Sequence, residues 1–524
     1  MTTSGTTSLW MLDQPPRYPA LAGDDSADVC VIGAGIAGLT TAWFLARAGR
    51  SVLVVDDGDI GSGETSRTTA HLANAIDDRY VVIERLHGEV GAALAADSHT
   101  AAIDRIEAIV AEEGIDCDFE RVDGYLFLGP DDKPKLLERE LEAARAAGLT
   151  TVDLFETAPV TGFASGPCLR FPRQGQLHPM RYLIGLARGV ERAGGRIRSG
   201  AHVTEVENGE RVRVRTVAGH TIECGDAVVA TNTPVNDRFT IHTKQAAYRT
   251  YVIGARIPAG AVSHALFWDT CDPYHYVRVQ PAPDRAGEVL IVGGEDHKTG
   301  QETDTIAARH DRLERWTRER FPMITGVEFR WSGQVMEPVD GVAFIGRNPG
   351  DHHVWVATGD SGMGMTHGTI AGQLLSDLIL GRDNRWAALY DPGRVTLRAT
   401  KEFLRENLNV AAQYGDWVSP ADAASEAKIP RDSGAVIRHG LARVAVYRDR
   451  DGVLHRRSAV CPHLGCVVAW NPTEHSWDCP CHGSRFDPLG RVLNGPAVAP
   501  LAPVEDDARA AKPSSNLEAH DGTR

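Results

Sequence analysis

The N-terminal part of the chain joins two short apolar runs through a helix-forming stretch. Residues 29–32 are apolar, a glycine-rich turn follows them, residues 39–48 favour a helix, and residues 51–55 contain a second apolar run. Short apolar runs bounded by turn residues are typical of buried strands in parallel sheets. The pattern therefore predicts strand, turn, helix and strand, with Gly49 at the end of the helix.

The periodicity changes in the middle of the chain. Residues 80–150 have a helical period and are rich in Ala and Glu, with a strand predicted over residues 124–129. Residues 248–253, 275–279 and 289–292 have the alternation that is typical of antiparallel strands. This region therefore predicts helices and an antiparallel sheet.

A second helical region, residues 385–412, precedes a connector rich in Ala, Ser and Pro. Its apolar side chains are spaced for packing on the preceding domain. They are Leu389, Val395, Leu404, Leu408 and Val410. Short strands are predicted beyond the connector, at residues 435–439, 444–447 and 454–460.

The length and composition limit the classes of protein to consider. A chain of 524 residues is too long for one core, so two or three domains are expected. The net charge of −15 argues against a nucleic-acid partner and against docking on anionic lipid. No apolar run is long enough to span a membrane, and the first twelve residues lack the features of an export signal. Five of the nine cysteines are scattered along the chain, which favours a cytoplasmic location over a secreted disulfide framework.

The turn after the first strand reads Gly33-Ala-Gly35-Ile-Ala-Gly38, and the second strand ends at Asp56. Such glycines permit a tight turn, close approach of a pyrophosphate, and close packing of helix on strand. The helix N-terminus offers free N–H groups to phosphate, and Asp56 can hold ribose hydroxyls. The alternative is a structural βαβ unit whose glycines are coincidental. The complete pattern favours a dinucleotide site.

Near the C-terminus two short segments carry cysteine and histidine: Cys461-Pro-His463-Leu-Gly-Cys466 and Cys479-Pro-Cys481-His482. These cysteines and histidines could alternatively bind a zinc ion, but zinc fingers usually place a cysteine pair on one arm and a histidine pair on the other. Here each arm is mixed and each has an additional cysteine. The segment closely resembles the Rieske proteins of cytochrome bc complexes, which carry a [2Fe–2S] cluster.

That resemblance implies that Cys461, His463, Cys479 and His482 are the cluster ligands and that Cys466 and Cys481 form a disulfide. It also implies that Ser484 donates to a bridging sulfide. Phe486 stands where the bc-complex proteins have a tyrosine that donates to a ligand sulfur, so we expect a somewhat lower potential within the Rieske range.

Two further segments distinguish FAD from NAD. Residues 225–232 are an apolar strand ending in small residues. Residues 354–368 predict a strand and a glycine-rich turn, and a helix is predicted after them over residues 369–380. With the fingerprint they resemble the FAD-dependent D-amino-acid oxidase superfamily over about residues 26–425. The resemblance implies that Thr231, Gly359, Gly362, Met363 and Thr366 belong to the FAD site. A second GxGxxG is absent from the sequence, which points to an organic molecule as the hydride donor.

The resulting fold class is an α/β FAD-binding Rossmann-like domain with an inserted α+β substrate domain, followed by a small all-β Rieske domain. The predicted segments are an N-terminal segment (1–25), the oxidoreductase (26–425), the Rieske domain (426–510) and a disordered tail (511–524). Within the oxidoreductase, the FAD-binding parts are about 26–80, 150–235 and 335–385, and the substrate-domain parts are about 81–149 and 236–334.

The resemblance places the antiparallel sheet over the flavin, so polar residues on those strands are candidates for substrate contact. The candidates are Lys244, Arg249, Tyr251, Tyr274, Tyr276, Arg278 and His297. Arg278 and Tyr251 are the preferred catalytic residues because both lie in the middle of a strand. An ordinary strand position facing water is the alternative for each.

Both usual anchors for a substrate carboxylate are missing. Glycine and D-amino-acid oxidases have an arginine at the position of Val335, and sarcosine oxidases have a lysine at the position that matches Thr366. We therefore expect a substrate other than a simple α-amino acid, or a different cation such as Arg278. A covalent flavin link through His71 is a further alternative to a structural histidine there.

Together these features predict an oxidoreductase that takes a hydride from a small organic substrate, most plausibly an amine, onto FAD. The cluster would then pass electrons singly to a cytochrome, a quinone or a ferredoxin. Flow in the opposite direction, from a reductase to the flavin, and a redox sensor without turnover are the alternatives. A Rieske oxygenase is disfavoured, because the sequence lacks a two-histidine, one-carboxylate iron motif.

Overall fold

The structure is a computed structural model, which describes residues 6–236, 241–301, 306–417, 422–423, 425–440 and 442–504. The tail predicted over residues 511–524 lies outside the described residues. No described helix combines the length and apolarity needed to cross a membrane.

The strands, in chain order, are β1 (Asp25–Ile32), β2 (Val52–Val55), β3 (His71–Leu72), β4 (Glu120–Phe127), β5 (Asp153–Phe155), β6 (Cys168–Gln176), β7 (Arg196–Arg198), β8 (Val203–Glu207), β9 (Val212–Thr216), β10 (Thr221–Val229), β11 (Gln245–Ile257), β12 (Leu266–Asp269), β13 (His275–Pro281), β14 (Glu288–Lys298), β15 (Gly326–Pro338), β16 (Phe344–Arg347), β17 (Val354–Thr358), β18 (Ser433–His439), β19 (Ala442–Arg448), β20 (Leu454–Ser458), β21 (Ala469–Asn471), β22 (Ser476–Asp478), β23 (Arg485–Phe486) and β24 (Val492–Asn494). The α-helices are α1 (Ile36–Arg47), α2 (Tyr80–Glu113), α3 (Lys135–Ala146), α4 (Pro179–Arg192), α5 (Ile306–Arg320), α6 (Gly364–Ile379), α7 (Ala387–Tyr390) and α8 (Thr400–Gln413).

The first sheet has the order β16-β17-β10-β1-β2-β7; β9 also pairs with β10, and β8 pairs with β9. The strands from β17 to β7 along this path are parallel, and β16 is antiparallel. All four side chains of β2 are buried, as expected for a strand covered on both faces. Helix α1 packs against α6 and α4, so the predicted strand–turn–helix–strand unit lies at the centre of this sheet.

The second sheet has nine strands, in the order β15-β11-β14-β13-β12-β4-β6-β3 with β5 beside β6. Its strands are antiparallel except for the β12–β4 pair. The alternating segments of the sequence correspond to β11, β13 and β14, which confirms the predicted antiparallel sheet. Helix α5 packs on one of its faces.

The C-terminal unit, residues 433–504, has two small antiparallel sheets. One contains β18, β19 and β20, and the other contains β21, β22, β23 and β24. Their shared core includes four cysteines, Trp477 and Phe486. The predicted all-β class of this unit is therefore confirmed.

The packing predicted for residues 385–412 is correct only in part. Leu389 is buried in the core of the first unit as predicted, whereas Val410 packs on the core of the C-terminal unit instead. Val395, Leu404 and Leu408 are instead exposed to solvent. The helical period identified an apolar face, but two of its leucines point away from both units.

Candidate functional site

The glycine turn has the geometry that its sequence predicts. Gly33 has φ +108°, and a Cβ there would lie 2.4 Å from the carbonyl oxygen of Ala230. A Cβ at Gly38 would lie 1.9 Å from the Gly33 carbonyl oxygen, so α1 can pack this closely on the turn only with glycine. Helix α1 begins directly after Gly35 and presents its first N–H groups at the turn.

Asp56 lies at the carboxyl end of β2, next to the glycine turn. Its Oδ2 accepts a hydrogen bond from the N–H of Ala34 (2.6 Å), and its Oδ1 accepts one from the N–H of Gly58 (2.8 Å). Burial and the neighbouring Asp57 raise the pKa of Asp56 to about 7. A carboxyl group at this place can pair with ribose hydroxyls.

A cavity of about 360 Å³ runs from the glycine turn to the antiparallel sheet. Seven of the sequence-predicted cofactor residues line it. They are Gly33, Gly35, Asp56, Thr231, Gly359, Gly362 and Met363. The first turn of α6 begins at Gly364 and also lines the cavity, so its N–H groups can meet a bound flavin.

Thr366 is the third residue of α6, and it is not among the described residues that line the cavity. Its hydroxyl donates to the carbonyl oxygen of Met363 and contacts Nδ1 of His99 at 2.9 Å. Thr366 is therefore a packing residue of α6. The sequence placed Thr366 in the glycine-rich turn before a helix over residues 369–380, whereas the structure begins that helix at Gly364.

The end of the cavity under the antiparallel sheet is acidic and aromatic. Three carboxylates, Asp77, Asp296 and Glu337, line it. Three aromatic side chains line the same end, namely Trp268, Tyr274 and Tyr276. The hydroxyl of Tyr274 donates to Oδ2 of Asp77 at 3.0 Å. Among the described lining residues Arg67 is the only arginine, and there is no lysine.

Asp296 lies close enough to Asp77 and Glu337 to raise the pKa of both. Burial and then Asp78 and Asp296 raise the pKa of Asp77 to about 8. Burial raises the pKa of Asp296 to about 7, and burial with Asp78, Asp296 and Asp77 raises that of Glu337 well above its usual range. Clustered perturbed carboxyl groups in a cavity are typical of functional sites, and they favour the binding of a cation.

Arg278 does not lie in this cavity, contrary to the expectation from its mid-strand position. Its guanidinium is fully buried and donates to the carbonyl oxygens of Ala70 (2.9 Å) and Leu177 (3.0 Å). It also lies 5.4 Å from the ring of Trp10. Arg278 therefore joins β13 to the segments around it, because these carbonyl groups need a donor.

Tyr251 is also outside the cavity. Its ring stacks on His297 (5.7 Å between centroids) and meets His310 of α5 edge-on at 5.1 Å. Its neighbour Thr250 lines the cavity instead. Successive side chains of a strand face opposite sides of the sheet, and the sequence alone could not determine which side covers the flavin.

Two other residues considered from the sequence do line the cavity, His71 and Val335. The Nδ1 atom of His71 contacts the hydroxyl of Thr69 at 3.0 Å, and its Nε2 has no partner among the described residues. Val335 offers only an apolar surface where an arginine anchor would stand. No lysine among the described lining residues takes the place of the carboxylate-binding arginine that the sequence lacks here.

The two Cys/His segments of the C-terminal unit come together. Cys461 and Cys479 are buried and contact each other, and the rings of His463 and His482 lie 5.0 Å apart. Burial lowers the pKa of His482 to about 4, which keeps its imidazole in the neutral form that binds metal. The structure joins the other two cysteines, Cys466 and Cys481, in a disulfide.

This arrangement fits a two-iron cluster better than one zinc ion. Thiol faces thiol and imidazole faces imidazole, as required when one iron takes two cysteines and the other takes two histidines. In the described part of the chain, the ligand atoms of these four side chains do not all lie within 4.8 Å of one another. A single tetrahedral zinc ion would bring them that close.

A buried ion cluster connects the two units. Glu474 of the C-terminal unit is fully buried, with its carboxylate 3.7 Å from Arg67, 3.6 Å from Arg249 and 3.8 Å from Arg485. Thr6 donates to it at 2.6 Å. Burial alone would raise the pKa of Glu474, but the three arginines, led by Arg249, lower it to about 2.

The C-terminal unit also forms part of the cavity wall. Residues 492–495 and Ala497 line the cavity. The side chain of Asn494 donates to Oε1 of Glu64 at 3.0 Å, and Ala497 N–H donates to Ser484, which is hydrogen-bonded to Cys461. No sequence motif marks this wall or the carboxyl groups of Asp77, Asp296 and Glu337, because these residues meet only in the folded chain.

The fold and site define a class, an oxidoreductase with a flavin unit and an iron–sulfur unit. The chain belongs to the DAO family, described as FAD dependent oxidoreductase, whose model matches residues 28–378. The Rieske [2Fe-2S] domain model matches residues 419–505. The first unit accordingly binds FAD and the second binds a [2Fe–2S] cluster.

Relatives share both parts or one of them. YhfW of Bacillus subtilis, a Rieske 2Fe-2S iron-sulfur protein by name, is 32% identical over 94% of this chain and 96% of its own length. Gamma-glutamylputrescine oxidoreductase of Escherichia coli is 25% identical over 71% of this chain and 89% of its own. A cytochrome b6-f complex iron-sulfur subunit of Synechococcus elongatus is 42% identical over 15% of this chain and 47% of its own.

Solved structures share the fold of the first unit. Glycine oxidase from Geobacillus kaustophilus superposes with a TM-score of 0.58 at 18% identity, covering 71% of this chain and 99% of its own. L-Proline dehydrogenase from P. horikoshii gives a TM-score of 0.57 at 18% identity, covering 70% of this chain and 97% of its own.

Proposed function

We propose that this protein is a dehydrogenase that oxidises a cationic amine lacking an α-carboxylate and releases the electrons singly to an external acceptor. The observation that carries the proposal is the acidic and aromatic end of the cavity, formed by Asp77, Asp296 and Glu337 with three aromatic rings. Residues proposed to hold FAD are Gly33, Gly35, Asp56, Thr231, Gly359, Gly362 and Met363. Residues proposed to hold the cluster are Cys461, His463, Cys479 and His482.

The charges of the cavity support a cation and disfavour a carboxylate. Asp296 raises the pKa of Asp77, and both aspartates raise that of Glu337, so an ammonium group among them would relieve that repulsion. The faces of Trp268, Tyr274 and Tyr276 can contribute cation–π attraction. Arg67, the one arginine in the described wall, is already paired with Glu474 and is poorly placed to clamp a substrate carboxylate.

A side cavity of about 130 Å³ extends the substrate space. It shares Asp77, Tyr274 and Glu337 with the main cavity and adds Asp78, Glu140 and Asp269 to the acidic lining, against one cation, Arg79. A longer substrate with a second positive charge could place that charge there. We therefore expect diamines to be better substrates than monoamines of the same length.

The reaction converts R–CH2–NH3⁺ to R–CH=NH2⁺ with loss of two electrons and two protons, and water then gives an aldehyde and ammonium. When bound, FAD accepts the electron pair and the [2Fe–2S] cluster carries single electrons. Asp77, with its raised pKa, can accept the proton of the ammonium group. The aromatic walls exclude water and orient the reacting C–H bond.

The proposal is tested by anaerobic titration of the purified holoprotein with a substrate panel, while the flavin absorbance is recorded. We expect bleaching by diamines and other cationic amines, and none by glycine, sarcosine, proline or D-amino acids. Fast bleaching by these carboxylated compounds would overturn the argument from charge. A flavin that no amine reduces would overturn the proposed activity.

A second readout tests the electron route. Each amine molecule supplies two electrons, and the cluster accepts one of them. After flavin reduction, the EPR signal of the reduced cluster should therefore account for about half of the electrons supplied. Metal analysis of the same sample should return two irons per chain. Zinc in their place would contradict the assignment of the four ligands.

A further inference from the structure

Trp268 and Tyr276 belong to one row of residues across the antiparallel sheet, at the substrate end of the cavity. Trp268 of β12 lies directly opposite Tyr276 of β13, and Tyr276 lies directly opposite Gly293 of β14. Residues directly opposite one another in a sheet share a face. Both aromatic side chains line the cavity, so this row lies on the face that covers the substrate end.

Gly293 makes room for the ring of Tyr276. A Cβ added at Gly293 would lie 2.2 Å from Cε2 and Cζ of that ring and 2.5 Å from its hydroxyl oxygen. The φ angle of Gly293 lies outside the left-handed region, so its backbone would accept a residue with a side chain. Its neighbour Gly294 differs, because a φ of +149° there favours glycine whatever the space. At Gly293 the aromatic ring, and not the backbone, therefore requires glycine.

A hydrogen bond holds the Tyr276 ring across β14. Its hydroxyl lies 2.6 Å from Oγ1 of Thr250 on β11, the strand beyond β14. The ring therefore extends from β13 over Gly293 towards the next strand. Its ring neighbours in the cavity lining are His71 (5.6 Å between centroids) and Tyr274 (5.2 Å). Strand side chains usually stand perpendicular to a sheet, so a ring held along the sheet leaves free the space that a perpendicular ring would fill.

Trp268 has the same arrangement with a second glycine. A Cβ added at Gly124 of β4 would lie 2.5 Å from Cη2 and 2.9 Å from Cζ3 of the indole ring. The φ angle of Gly124 also lies outside the left-handed region. Trp268 lines both the main cavity and the side cavity, so the position of its ring affects the space where the two cavities meet.

A methyl group at either glycine would displace the neighbouring ring in one direction. The methyl group would project from the sheet on the face that carries the ring. The ring would therefore move away from the sheet, into the cavity that lies on this face. Protein interiors are close-packed, so an added methyl group shifts its neighbours rather than filling an empty space.

We propose that two glycines, Gly293 and Gly124, determine the size of the substrate that the cavity admits. They do so by letting the rings of Tyr276 and Trp268 lie along the sheet. This inference rests on the proposed function, because it takes the ligand to be an amine cation. Gly293 sets the width of the main cavity. Gly124 sets the room at the side cavity, where the second charge of a longer substrate would lie.

The test measures the binding of two cations of different size, tetramethylammonium and tetraethylammonium, neither of which can form an imine. Each cation is titrated into the full-length holoprotein while flavin absorbance and tryptophan fluorescence are recorded. The variants are Gly293→Ala, Tyr276→Ala and the two substitutions together.

Gly254→Ala is the matched control for the crowding of a strand glycine. Gly254 lies on β11 of the same sheet, and its φ angle is also outside the left-handed region. A Cβ there would lie 3.1 Å from side-chain atoms of Phe329 and Val289. None of these three residues belongs to the described cavity lining, so the control crowds the sheet without narrowing the cavity.

We expect Gly293→Ala to weaken the binding of tetraethylammonium about tenfold or more, and that of tetramethylammonium less than about threefold, because the displaced ring narrows the cavity. In the Tyr276→Ala background the same substitution should change neither Kd, since no ring remains to be displaced. Gly254→Ala should bind both cations like the wild type. An unchanged preference between the cations in Gly293→Ala, or the same effect with and without Tyr276, would overturn the proposal.

A second pair of variants frees the same ring without crowding it, and it applies also if Gly293→Ala does not fold. Thr250→Val removes the hydroxyl that holds Tyr276, whereas Thr250→Ser keeps it. We expect Thr250→Val to weaken the binding of the larger cation selectively and Thr250→Ser to behave like the wild type. Equal behaviour of the two variants would overturn the proposal.

Gly124→Ala is tested with a longer dication. Hexamethonium, which carries two trimethylammonium groups joined by six carbons, is compared with tetramethylammonium. We expect about a tenfold loss of affinity for hexamethonium alone, because the displaced Trp268 ring would close the space at the side cavity. Equal loss for both probes, or no loss for either, would overturn the assignment of Gly124.

A crystal structure of the Gly293→Ala holoprotein separates this inference from the proposed function. The Tyr276 ring should be displaced from residue 293 into the cavity, whether or not any amine reduces the flavin. A ring that keeps its place would overturn the inference alone. Wild-type holoprotein that binds neither cation would overturn the proposed function, while the position of the ring would still decide whether Gly293 sets the width of the cavity.

Discussion

The side chain of Gln334 donates from Nε2 to the carbonyl oxygen of Gly483 at 3.0 Å. Gln334 lines the flavin cavity, and Gly483 follows His482, one of the proposed cluster ligands. One hydrogen bond therefore joins the cavity wall to a cluster loop. Two redox sites held by such short connections are built as one unit rather than as independent modules.

The substitution Gly483→Ala should push the cluster loop away from the wall of the flavin cavity. Gly483 has φ +77°, and a Cβ there would lie 2.4 Å from Cβ of Ala247 in the first unit. We expect a loss of about 1–3 kcal/mol in stability and slower reduction of the cluster after the flavin is reduced. Stopped-flow absorbance at flavin and cluster wavelengths measures this transfer.

Gly465→Ala is the matched control for that variant. Gly465 has φ +83°, but a Cβ added there would have no described atom within 4 Å apart from its own chain neighbours. The Gly465→Ala variant should therefore have only the backbone strain, and electrons should pass from the flavin to the cluster at the normal rate. Equal rates in the two variants would contradict the importance of the contact.

Glu474→Gln should weaken the junction of the two units. It would leave Arg67, Arg249 and Arg485 buried without their shared carboxylate, at a cost of about 3–5 kcal/mol. Chemical denaturation with tryptophan fluorescence measures the free energy of unfolding. Glu205→Gln, at an exposed pair with Arg215, should change it by less than about 1 kcal/mol.

The contribution of Glu474 also depends on pH. Its pKa in the folded protein is about 2, below the ordinary value of 4.5, so its stabilisation is complete above pH 4.5. It should be lost as the pH falls from 4.5 towards 2, and the Glu474→Gln variant should lack this part of the pH dependence. Identical acid denaturation of both proteins would contradict the prediction.

Amine binding should strengthen as the pH rises through about 8. Asp77 has a raised pKa of about 8, whereas an alkylammonium group stays charged up to about pH 10. Below pH 8 the ionised fraction of Asp77 falls about tenfold per pH unit, and KM should rise accordingly. Asp77→Asn should flatten this profile and raise KM, whereas Glu89→Gln on the exposed side of α2 should do neither.

Phe486→Tyr should raise the reduction potential of the cluster. A hydroxyl that donates to a ligand sulfur stabilises the more negative, reduced state by about 1–2 kcal/mol, or about 40–90 mV for one electron. An EPR-monitored redox titration measures the shift. Phe486→Leu, which lacks the hydroxyl, serves as the packing control, and a potential that falls or stays constant in the tyrosine variant would contradict the prediction.

Local sequence patterns determined the chemistry of the two cofactor regions and the antiparallel sheet. The turn at Gly33 and Gly38 and the Cys461–Cys481 loops each use residues close in sequence, so spacing alone indicates their chemistry. Strand alternation likewise predicted the antiparallel sheet, since the period of two reflects the backbone of each strand.

Tertiary structure decided the substrate end and the junction. Thr250, and not Tyr251, faces the cavity because strand pairing sets which side of β11 covers it. Asp77 and Asp296 are more than 200 residues apart in sequence, yet they line the same cavity. Long-range strand pairing and docking bring such residues together, and their meeting leaves no periodic or spacing signal in the chain.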